Sequence, residues 1–207
     1  MIDMDGNDGT TREELVERVA LMEAMIAEGR QATGRYGWIF VLWGLVDMAG
    51  FFLQSAWPHS FWPWPTVLSV GIGLQLIGLR IFCAGSGTRT VKNRALTAVW
   101  RMMGITLMLY CFSGMFSHHA EGRSYVAAIF MIFGLAHGIS AMILRWSAQG
   151  AVSVVWLVGG VGCYVITNHW MQYLFVAEMC VGMVLFGLYA MALERRRAAA
   201  AQVLRHG

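Results

Sequence analysis

Residues 37–57, GWIFVLWGLVDMAGFFLQSAW, contain a single ionisable side chain, Asp47, near the middle of the run. About 20 residues cover roughly 30 Å as a helix, the thickness of a bilayer's hydrocarbon core. So long an apolar run predicts a membrane helix. An aspartate at mid-depth costs about 2.5–3.5 kcal/mol on insertion scales, so Asp47 is expected to face protein or water rather than lipid.

Five further apolar runs follow, at approximately 64–83, 95–116, 124–144, 151–167 and 170–193. Only 13% of the 207 residues are charged and 57% are hydrophobic, whereas soluble domains carry about 25% charged residues. The expected fold is an all-α integral membrane protein, a compact bundle of six transmembrane helices in three hairpins. An N-terminal cytoplasmic amphipathic helix precedes the bundle. The expected divisions are 1–35 for the tail and amphipathic helix, 36–193 for the membrane domain and 194–207 for a basic tail. Short turns at 57–63 and 168–170 make their flanking helices antiparallel neighbours, and residues 84–93 form the longest internal loop. Nucleic-acid binding is excluded, because no basic residues cluster on a soluble face.

Charge placement sets the orientation. Arg12, Arg18, Arg30 and Arg35 precede the first run; Arg80, Arg89, Lys92, Arg94 and Arg101 surround the second loop. Arg145 follows the fourth run, Arg195, Arg196, Arg197 and Arg205 follow the last, and Arg123 stands alone on the other side. The positive-inside rule then places both termini in the cytoplasm of a multi-pass protein of the cell (inner) membrane. MIDMDGND lacks a basic region ahead of an apolar core, so the first span is expected to act as its own insertion signal.

Thr10 with Glu13, or Thr11 with Glu14, fits a capping box that starts the amphipathic helix. Leu15, Val19, Met22 and Ile26 follow on one face, and Gly29 and Gly34 are expected to end or loosen the helix. Its acidic remainder suits an anionic leaflet poorly. The apolar stripe therefore implies packing on the bundle, a homo-oligomer (dimer), or a cytoplasmic protein partner; the other partner is the lipid bilayer.

A threefold hairpin repeat is suggested by Trp43-Gly44, Trp100 with Gly104, and Trp156 with Gly159 and Gly160. Small or polar stripes mark the helices: Gly44, Asp47, Gly50 and Gln54; Gly71, Gln75 and Gly78; Thr106, Tyr110, Ser113 and Ser117; Gly134, His137 and Ala141; Gly160, Tyr164 and Thr167; Glu178, Gly182 and Tyr189. Such stripes let helices approach closely. They do not account for Asp47 and Glu178, which lie at similar depth. If the first and last spans are neighbours, these two acids are expected to share a proton or hold a cation, with Gln75, His137, Tyr110 and Tyr164 lining a solute site.

Each outer turn carries histidine: His59, the pair His118 and His119, and His169. Three converging imidazoles would suit Zn²⁺ or Cu²⁺, and a histidine between helices would suit haem, although no metal motif is present and no cofactor is the expectation. Cys83, Cys111, Cys163 and Cys180 have no zinc spacing and read as buried thiols. The sequence points first to a transporter, channel or sensor for a small solute. A metal-dependent intramembrane enzyme and a non-catalytic scaffold acting through the N-terminal helix are the alternatives.

Overall fold

The structure, a computed structural model, describes residues 12–82, 91–116 and 122–206. Thr10 and Thr11 of the capping box, the N-terminal tail and most of the second loop lie outside the described residues. The described residues form α1 (Arg12–Arg35), α2 (Gly37–Ala56), α3 (Pro63–Phe82), α4 (Val91–Phe116), α5 (Gly122–Leu144), α6 (Ser147–Val165), α7 (Asn168–Glu178) and α8 (Phe186–His206). A π-helical segment, Met179–Leu185, joins α7 to α8 within one continuous span. Six helices are long and apolar enough to cross a membrane, giving the six-helix bundle expected from the sequence.

Local chemistry accounts for the breaks. Tyr36, at φ −90° and ψ 3°, separates α1 from α2. After α2, the Gln54 side-chain amide donates to the carbonyls of Trp57, Pro58 and Ser60, each at 3.2 Å, folding the chain back. Gln54 is thus spent on this turn rather than on the bundle interior. Pro63 opens α3, where its missing N–H is no loss. Between α5 and α6, Trp146 N–H donates to Ala141 O at 3.1 Å and Arg145 N–H to Met142 O at 3.4 Å. This is a Schellman closure, with Arg145 rather than glycine in the left-handed position at φ 48°.

That tight turn makes α5 and α6 the most extensively packed pair in the bundle. α2 packs on α3 along one side and on the π segment and α8 along the other, while α4 leans on α5. At the crossing of α2 and α8 the two backbones touch. A β-carbon at Gly37 would stand 2.7 Å from Gly187 O, and one at Gly187 would stand 2.6 Å from Gly37 O.

α1 crosses α8, α5 and α4 at the end of the bundle that carries the Arg145 turn. Gly29 and Gly34 do not end or loosen it; they are helical and let it lie close against Leu144 and against Ala190 and Glu194. The suggested repeat is not expressed in the packing. Trp43 bonds to α3, Trp100 meets Phe40 edge-on, and Trp156 is fully enclosed, so the three hairpins occupy unlike environments.

Candidate functional site

The interior face of α5 carries Phe130, Phe133, His137, Ser140 and Leu144, all buried. The facing stripe of α6 is Gln149, Ser153, Trp156, Gly160 and Cys163, also buried. Met179, Met183 and Phe186 close the third side. An apolar core here would need only aliphatic and aromatic side chains, yet polar groups are set along it.

His137 is boxed in by rings from three other helices. Trp100 lies 5.0 Å away and Phe186 5.2 Å away, both edge-on, and Phe40 is tilted at 5.6 Å. Neither imidazole nitrogen has a hydrogen-bond partner among the described residues. The same holds for the Ser140 hydroxyl and both ends of the Gln149 amide, and all three residues are 0% exposed. Ser153 by contrast donates to Gly134 O at 2.7 Å across the α5–α6 seam. A buried polar group without a partner costs about 1–3 kcal/mol, so three in one region are not explained by packing.

The row continues away from the Arg145 turn. The Trp156 indole lies against Gly182 of the π segment, and its N–H has no partner among the described residues. Glu178 closes α7 and is 6% exposed. Its carboxylate rests on Gly159 of α6, and Oε2 has no partner among the described residues. Gln149 and Ser140 lie nearest the Arg145 turn, His137 and Trp156 follow, and Glu178 is farthest from it.

Asp47 lies elsewhere. It is half-buried, on the face of α2 that carries Phe40 and Phe51, and within electrostatic reach of Cys111 on α4. Phe51 stacks on Phe175 at 5.0 Å, so Asp47 and Glu178, each about one turn inward from that contact, share a depth. Glu178 turns to α6 and Asp47 lies on the α4 side, with no hydrogen bond between them among the described residues. α2 and the final span are neighbours, the condition on which a shared acid site was expected.

The other residues divide similarly. Gln75 accepts a 2.6 Å hydrogen bond from Trp43 Nε1, tying α3 to α2. Tyr110 stacks on Tyr125 at 5.0 Å, and the Tyr125 hydroxyl donates to Cys111 O at 3.3 Å. Tyr164 is 60% exposed and does not line the interior, standing about 60° round the helix from the middle of the buried stripe through Gln149, Ser153, Trp156, Gly160 and Cys163. His59 is exposed. His118, His119 and the side chain of His169 lie outside the described residues, and among the described residues no three histidine, cysteine or acidic side chains converge as metal ligands.

Ser140, Gln149, Ser153 and Trp156 were not among the residues expected from sequence. A signal for three of them exists: Gln149, Ser153, Trp156, Gly160 and Cys163 recur at spacings of four, three, four and three. No protein-family model, curated protein or solved structure matches this chain.

Proposed function

We propose that this protein moves or senses a small solute across the cell membrane, with proton or cation binding at intramembrane groups as part of its cycle. The observation that carries this reading is the row of enclosed polar side chains without partners among the described residues, His137, Ser140 and Gln149, aligned with Glu178 inside the bundle. Polar groups left unsatisfied in a membrane interior mark ion and proton pathways more often than packing sites. Glu178 and His137 are the groups that exchange protons; Ser140 and Gln149 orient what passes. Asp47 serves from the α4 side as a second carboxyl at the same depth. The basic residues around α1 and after the last span favour cytoplasmic termini.

The test is purified protein in liposomes, with proton and monovalent-cation flux followed by an internal dye and tryptophan emission followed across about pH 5–8. The wild type is expected to pass protons or cations, or to change its emission with pH. Glu178→Gln and His137→Phe are expected to remove that response while remaining folded. A wild-type protein with neither flux nor a pH-dependent emission change overturns the reading, as does a Glu178→Gln protein that responds normally.

A further inference from the structure

α1 outruns the bundle beneath it. Its C-terminal half is seated: Gly29 lies on Leu144, Thr33 is buried, and Gly34 lies on Ala190 and Glu194. Its N-terminal half is not. Leu15, Val19 and Met22 are 50%, 50% and 49% exposed, and Val16 and Leu21 are exposed beside them. Leu15, Val19, Met22, Ile26, Gly29 and Thr33 recur at alternating steps of four and three, the interval of a helix-packing seam. One stripe is therefore covered by the chain's own bundle along half its length and bare along the rest.

A complementary surface lies on the same side of the molecule. α8 continues beyond the last span with Arg195, Arg196 and Arg197 exposed, followed by exposed Ala198, Ala199 and Ala200. Glu23 borders the bare stripe of α1, about 70° round the helix from its middle. Glu23 and the three arginines form no ion pair among the residues whose side chains are described. The two surfaces do not meet within one chain. α1 and α8 cross at Gly34 and Glu194; Glu23 stands about three turns, roughly 16 Å, along α1 from that crossing, whereas the arginines follow within a turn of it.

We propose that the overhanging half of α1 docks on the α8 extension of a second copy, and that copy's α1 on the first, in a twofold dimer. The alanines offer a shallow face that lets a helix bearing Leu15, Val19 and Met22 come close. An arginine of the triplet then meets Glu23 at the border of the stripe. Because both surfaces lie on one side of the bundle, two copies inserted in the same sense present them to each other, as an isologous interface requires.

The full-length chain in lipid nanodiscs and in mild detergent tests this. The wild type is expected to be dimeric. A chain with one tag carrying Val19→Cys is expected to cross-link to a differently tagged chain carrying Ala199→Cys, a product that can only join two copies. Glu23→Arg is expected to weaken the dimer at least tenfold; it adds positive charge to an already positive side and does not oppose insertion. Adding Arg195→Glu and Arg197→Glu to that chain is expected to restore it. A monomeric wild type overturns the proposal, as does a dimer indifferent to the acid reversal with no mixed-tag product. Arginine substitutions that reduce only binding to anionic vesicles, leaving the dimer unchanged, assign the triplet to lipid headgroups and also overturn it.

Discussion

The carboxylate of Glu178 rests against the α-carbon of Gly159, in the space that a β-carbon at position 159 would occupy. Gly159→Ala therefore displaces the acid without removing it. The displaced group is the end of a flexible side chain, so stability is expected to fall by no more than about 1–3 kcal/mol, the usual range for overpacking. The flux or emission response is expected to fall as far as in Glu178→Gln. Thermal unfolding in detergent, run beside the liposome assay, separates the two effects.

Gly37 and Gly187 present the opposite case, because the atoms in the way are backbone. Neither helix can yield locally, and alanine at either position must separate α2 from α8. A loss of about 1–3 kcal/mol is expected from each substitution, and the pair together is expected to cost less than the sum, since the first already opens the crossing. Thermal or denaturant unfolding of the single and double variants checks both statements.

His137→Phe removes two unpartnered nitrogens from an aromatic box and replaces them with another ring. Stability is expected to stay level or to rise by about 1–3 kcal/mol, while the response to pH or solute disappears. A clear loss of stability would show that the imidazole is held by hydrogen bonds that packing alone needs, and would remove it from the pathway.

The Trp43–Gln75 hydrogen bond is expected to matter for α3 alone. α3 packs chiefly on α2, and buried interhelical hydrogen bonds in membranes contribute about 0.6–1.7 kcal/mol. Gln75→Leu is expected to lose that much and to raise amide exchange along α3 while leaving α5 and α6 protected. Hydrogen exchange resolved by segment reads this directly.

Much of the bundle was legible because bilayer thickness dictates helix length: the runs at 37–57 and 124–144 had one reading each. The site was less so. Asp47, Glu178 and His137 stood out as costly residues in apolar runs, but which way each faces depends on neighbours far away in sequence. Phe40, Trp100 and Phe186 come from three helices to enclose His137, and no local pattern announces that meeting. Tyr164 shares its side of α6 with buried Gly160 but stands about 60° from the middle of the buried stripe, far enough to be exposed. Gln149 was passed over because it sits near the start of its helix, where a polar residue ordinarily marks the membrane boundary. The α1 stripe was visible as spacing, but only the crossing at Gly29 and Gly34 shows that half of it is covered.

The winding of Met179–Leu185 has a mechanical meaning. Each π turn holds about one residue more than an α turn, which offsets the faces on either side by roughly 100°. The final span is thereby clocked like two gears on one shaft: α7 keeps Glu178 on Gly159, while α8 keeps Phe186 on the His137 ring. Deleting one residue from this stretch would let the shaft rewind as ordinary α-helix at nearly unchanged length. It would also throw one of those two engagements out of mesh.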